Sequence, residues 1–140
     1  MFDVTEEQAG MEPADEIYCF DRDVEKVAAA QGCKVVYPES NQIQLDIDNE
    51  KSYEDFLRRV ESVERRLAWV MNIQIRPSKS GLPHRHITIT VGNKEISDWE
   101  RVGLQLMFGS DPVRESVNAM RCAAGVANPS CLFVPLREDE

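Results

Sequence analysis

The chain has 140 residues, 42% of them hydrophobic and 29% charged, and a formal net charge of −9. That length suits one domain around one core. No stretch approaches the roughly 20 apolar residues of a membrane span, and the N-terminus lacks the basic-then-apolar order of a secretory signal, so a soluble, cytoplasmic protein with no membrane partner is expected.

The charge is unevenly placed. Residues 1–21 hold seven acids and no Lys or Arg, and the chain closes on Glu138-Asp139-Glu140. Without those ten acids, residues 22–137 carry 15 acids against 16 bases, so the body is balanced. Residues 1–13 are read as a flexible acidic tail, followed by a single domain over 14–137. Cys19, Cys33, Cys122 and Cys131 form no CxxC pair; that spacing suggests neither a zinc knuckle nor a disulfide framework, and four buried, reduced thiols are expected.

In chain order, Asp23 to Gln31 reads as a short helix stopped by Gly32, and Lys34 to Tyr37 as a strand closed by Pro38. Gln42 to Asp48 alternates without a fault: Ile43, Leu45 and Ile47 fall on one face, and Gln42, Gln44, Asp46 and Asp48 on the other. Ser52 is the expected N-cap of a helix whose stripe is Tyr53, Phe56, Leu57, Val60 and Leu67. Trp69 to Arg76 alternates again. The turn Pro77-Ser78-Lys79-Ser80-Gly81-Leu82-Pro83 then leads back into a strand from His84 to Val91.

Ser97-Asp98-Trp99-Glu100 has the form of a capping box opening a helix with Trp99, Val102, Leu106 and Met107 inward. Asp111-Pro112 opens another helix through roughly Ala124, before Gly125, and Ser130 to Val134 closes the chain as a strand. Trp69 and Trp99 are expected in the core. The fold class predicted is α+β: an antiparallel or mixed sheet with helices on one face.

The opposite sheet face then shows Gln42, Gln44, Asp46, Asp48, Asn72, Gln74, Arg76, His84, His86, Thr88 and Thr90. Asp46 and Asp48, at i and i+2, project together about 7 Å apart. Two such carboxylates suit Mg2+ or Mn2+, which favour hard oxygen ligands. The same alternation also describes the wet face of any antiparallel sheet.

Leu45-Asp46-Ile47-Asp48, followed by Ser78-Lys79-Ser80-Gly81-Leu82-Pro83-His84-Arg85-His86-Ile87, resembles the archaeo-eukaryotic primase and primase-polymerase superfamily. In that family a hydrophobic-Asp-hydrophobic-Asp strand precedes a Ser-Gly turn and a strand that begins with histidine. The resemblance spans residues 42–90 and implies a core of the RNA-recognition-motif or primase type. It implies Asp46 and Asp48 as catalytic metal ligands and His86 as a catalytic contact to nucleotide phosphates. Arg76, Ser78, Lys79, Ser80, His84 and Arg114 would be nucleotide-binding.

The Ser-Gly to histidine spacing is about one residue longer than that pattern, which leaves His84 and His86 both open as the counterpart, and no third carboxylate stands out. His84-Arg85-His86 lacks the hydrophobic middle residue and the following tyrosine of a rolling-circle nuclease. Residues 100–115 are similar to the C-terminal part of small bacteriophage proteins. The expected function is nucleotide or nucleic-acid binding on an open sheet face, with metal-dependent nucleotidyl transfer. The alternative is a non-enzymatic phage accessory protein that binds a host protein.

Overall fold

The computed structural model describes residues 24–136. The tail over residues 1–13, Cys19 and the closing acid triplet lie outside the described residues. The fold is α+β, and both of its sheets are antiparallel. Helix α1 (Val24–Ala30) leads into β1 (Cys33–Val36) and β2 (Gln42–Ile47); α2 (Glu50–Leu67) follows, then the hairpin of β3 (Met71–Pro77) and β4 (Arg85–Val91). Helices α3 (Asp98–Met107) and α4 (Pro112–Ala123) precede the short β5 (Leu132–Pro135). No described helix is long and apolar enough to cross a membrane.

Alternation builds the larger sheet, in strand order β2-β4-β3. Its apolar face packs Ile43, Leu45, Ile47, Ile87, Ile89 and Val91 against Phe56 and Val60 of α2 and Phe108 at the end of α3. Helix α2 starts earlier than Ser52: Asn49 is the N-cap, and its side chain accepts from the Ser52 backbone N–H at 2.8 Å. An Asn cap serves the same orphan N–H as the expected Ser. Leu57 and Leu67, assigned to the buried stripe by spacing, are exposed, and Val63 packs on the core instead.

The capping box of α3 and the Asp111 cap of α4 are as the sequence predicts. Their buried faces agree only at Val102, which is buried. Trp99, Leu106, Met107, Val113 and Met120 point outward, Trp99 with 57% of its surface exposed. The buried positions include Arg101, Gln105, Ser110, Glu115 and Asn118.

The reason is strand β2, an edge strand whose outward backbone groups need partners. Gln105 Oε1 accepts from the Gln44 N–H at 3.0 Å, and Ser110 Oγ from the Asp46 N–H at 3.0 Å. Arg101 Nε donates to the Gln42 carbonyl at 2.8 Å and Arg114 Nη1 to that of Gln44 at 2.9 Å. The Asp111 N–H donates to the Asp46 carbonyl at 2.7 Å. Polar side chains of α3 and α4, with one backbone amide, do here what a fourth strand would do.

Strands β1 and β5 form a separate two-stranded ribbon, with Cys33 opposite Pro135 and Val36 opposite Leu132. The ribbon stands over the polar face of the larger sheet, so that face is partly roofed where the sequence reading leaves it open. Gln44 shows the effect: it belongs to the polar face by alternation, yet it is 1% exposed and its Nε2 donates to the Val36 carbonyl of the ribbon at 3.2 Å.

Candidate functional site

Strand register arranges the polar face in rows. Asp46, His86 and Arg76 lie abreast across β2, β4 and β3; Gln44, Thr88 and Gln74 form the next row, and Gln42, Thr90 and Asn72 the third. Ribbon and sheet enclose a cleft of about 720 Å³. The sheet contributes Gln42, Gln44, Gln74, Arg76, His86 and Thr88, and the ribbon contributes Lys34, Val36, Leu132, Val134 and Pro135. A second chamber of about 340 Å³ adjoins it, lined by Asp46, His86, Arg114, Arg121, Cys131 and Phe133 among others. His86 and Leu132 line both spaces.

The structure brings the two acids and two histidines together as cross-strand pairs. At the outer end His84 Nδ1 lies 3.4 Å from Asp48 Oδ1, both side chains well exposed. Further in, His86 Nε2 lies 3.9 Å from Asp46 Oδ1, beyond hydrogen-bond reach, with the imidazole largely covered. Burial, reinforced by the Asp48 carboxylate and only partly offset by Arg114, pushes the Asp46 carboxyl up to about 6. Burial, and then the Arg114 guanidinium, hold His86 below the usual histidine range. At neutral pH His86 is therefore a neutral imidazole, and Asp46 changes charge close to physiological pH. That placement suits a carboxyl that exchanges protons or gains a cation.

The expected anion contacts divide. Arg76 lines the large cleft. Arg114 lines the chamber, yet its guanidinium is committed: it donates to the Gln44 and Cys131 carbonyls at 2.9 Å each and pairs with Glu115. Ser78, Lys79 and Ser80 line neither space. The Ser78 backbone closes the turn through the His84 carbonyl and the Gly81 N–H, and Lys79 Nζ donates to the Gln31 carbonyl, tying the turn to the end of α1. The Lys79 ammonium is thus engaged within the fold, and the two serines stand in the turn outside both spaces. Arg85 faces the other side of the sheet, over the Tyr53 ring at 3.8 Å and bonded to Glu50.

The Mg2+ or Mn2+ implied by the resemblance has a partial donor set. Among the described residues no group of three or more His, Cys, Asp or Glu side chains is gathered as a metal site. Asp46 and Asp48 fit the mode in which a small hard cation takes one or two carboxylates and completes its shell with water and substrate phosphates.

Sequence reasoning missed the ribbon side of the cleft and Arg121. The ribbon rests on pairing between residues about a hundred positions apart, which no local period encodes. For Arg121 the sequence held no signal, since it meets Cys131 only through the fold. Comparison with known proteins returns no match: no family model fits the chain, and no curated protein or solved structure resembles it at a significant level.

Proposed function

We propose that the protein binds a nucleotide, or a stretch of nucleic acid, in the cleft between ribbon and sheet, and that Asp46 and Asp48 with Mg2+ or Mn2+ support nucleotidyl transfer there. The observation that carries the reading is the cleft itself: about 720 Å³, within the size range of small-molecule sites, with mostly apolar ribbon side chains and Lys34 above and rows of carboxamide, hydroxyl and cationic groups below. An apolar roof suits a base, and the polar floor offers directional hydrogen bonds to its edges. Asp46 lies beside His86 and Asp48 beside His84 further out, so a metal held between them would meet phosphates that extend past His86.

Calorimetric titration with nucleoside triphosphates and with a short single strand, each with and without Mn2+, tests the reading. Binding is expected in the wild-type protein, with the Mn2+-dependent part and any primer extension lost in Asp46→Asn/Asp48→Asn. No binding in the wild type overturns it. Binding without extension removes the transfer step and leaves the binding function.

A second reading, an accessory protein that docks on a host protein, draws on the outward apolar residues Trp99, Leu106 and Val113 of the α3–α4 unit. It stands alone if no nucleotide or nucleic acid binds.

A further inference from the structure

Among the described residues Arg121 has no counter-ion. It sits in the last turn of α4, where a cation favours the helix dipole, but its position is not that of a solvated surface arginine. Its Nε is buried without a hydrogen-bond partner, and among the described residues it forms no ion pair, in contrast to Arg101 and Arg114. A buried guanidinium N–H without an acceptor is costly, and such groups persist where something else supplies one.

Asp46 is the one carboxylate among the described residues lining the smaller chamber, and it forms no ion pair with Arg121. Arg121 and Arg114 both act on the Cys131 thiol, which burial pushes up and keeps neutral. Glu115 is enclosed by Gln105, Ser110, Arg114 and Asn118. Asp46 responds to Arg114 and to its acidic neighbours, and Arg121 is not among the charges that act on it.

We propose that the smaller chamber is a phosphate pocket anchored by Arg121, with the His86 imidazole on its wall as a hydrogen-bonding group. The inference rests on the nucleotide reading of the larger cleft and extends it: because His86 and Leu132 line both spaces, a ligand whose base lies under the ribbon would send its phosphate past His86 toward Arg121. A guanidinium offers a planar pair of N–H donors matched to phosphate oxygens. The phosphate could belong to a nucleoside triphosphate or to the backbone of a single strand.

The test titrates wild type, Arg121→Gln and Arg121→Lys with adenosine, adenosine triphosphate, a four-nucleotide single strand and inorganic tripolyphosphate at low salt. Loss of about tenfold or more in triphosphate affinity in Arg121→Gln, partly recovered in Arg121→Lys, with adenosine unchanged, supports the pocket and identifies a terminal phosphate as its ligand. The same loss confined to the single strand supports it with a backbone phosphate as ligand. Equal affinity of wild type and Arg121→Gln for every phosphate-bearing probe overturns the pocket and leaves the nucleotide reading intact.

Tripolyphosphate binding that depends on Arg121, without binding of any nucleoside or nucleotide, keeps the pocket and overturns the nucleotide reading. No binding of any probe overturns both. Thermal melting gives an independent check: a guanidinium without internal partners predicts that Arg121→Gln melts at or above the wild-type temperature. A drop of several degrees would make Arg121 a structural residue and overturn the pocket.

Discussion

The two edges of the larger sheet are treated in opposite ways. Along β2, the outward carbonyl of Gln42 and the N–H and C=O groups of residues 44 and 46 are taken up by Arg101, Gln105, Ser110, Asp111 and Arg114. Along β3, the outer edge has no neighbouring strand among the described residues, and Asn72, Gln74, Ile75 and Arg76 are exposed. The contrast explains why α3 and α4 bury polar residues and expose apolar ones. Their inner faces are selected by what an edge strand's backbone requires, and hydrophobic periodicity carries no information about that requirement.

Arg101→Ala should have the largest effect on this contrast. The guanidinium donates to the carbonyls of Gln42, Glu39, Ser40 and Ile96; its loss strands buried acceptors and should cost about 3–5 kcal/mol in urea unfolding. A cost under about 1 kcal/mol would mean that water replaces the side chain and that the β2 edge is not sealed.

Glu115→Gln comes next, at about 2–3 kcal/mol, because both carboxylate oxygens accept from buried donors and an amide nitrogen in either place opposes one of them. Hydrogen exchange sharpens the point: the Gln44 and Asp46 amides should lose protection in this variant, while the amides of β3 stay as in wild type.

Asp46→Asn separates the backbone role of that residue from its side-chain role. The backbone bonds to Ser110 and Asp111 remain, whereas the carboxyl, raised from 3.8 to about 6, no longer has to ionise. A carboxyl whose folded pKa lies above its unfolded value stabilises the fold fully below the unfolded value, and that contribution is lost as pH rises through about 6. The variant should therefore be more stable than wild type at pH 7.5, by about 1–2 kcal/mol after allowance for solvent screening, with the difference vanishing below pH 4. Equal stabilities at both pH values would show that Asp46 is solvated. His86 opposes this trend in the wild type, since its lowered pKa makes stability fall as pH drops through the histidine range.

The smallest effect belongs to the uncovered edge: Asn72→Lys on β3 should change the unfolding free energy by less than about 0.5 kcal/mol. A larger loss would reveal a partner on that edge.

Much of the sheet was legible because alternation in residues 42–48 and 84–91 leaves only one face for Ile43, Leu45, Ile87 and Ile89, and with that choice Asp46 and His86 must share the other. The caps at Ser97 and Asp111 were legible for a similar reason, each being a local exchange between a side chain and its own first helical turn. Gln44, Arg101 and Arg121 were not, since their environments come from elements distant in sequence. One trace was present: the i, i+4 spacing of Arg101 and Gln105 opposite the exposed Trp99 and Leu106 describes a polar stripe as regular as the apolar one. Choosing which stripe turns inward needs knowledge of the strand it meets.

The ribbon has a consequence for how the cleft comes into being. Because Cys33 pairs with Pro135 and Val36 with Leu132, the roof is the most non-local contact among the described residues, and pairings of that kind form late on topological grounds. During synthesis the larger sheet and its helices can assemble as soon as α4 has emerged, but β1 has no partner until Leu132–Pro135 leaves the ribosome. The roofed cleft is thus absent from the nascent chain until that point. A chain halted before β5 would carry the Asp46–His86 row on a bare sheet, with nothing above it.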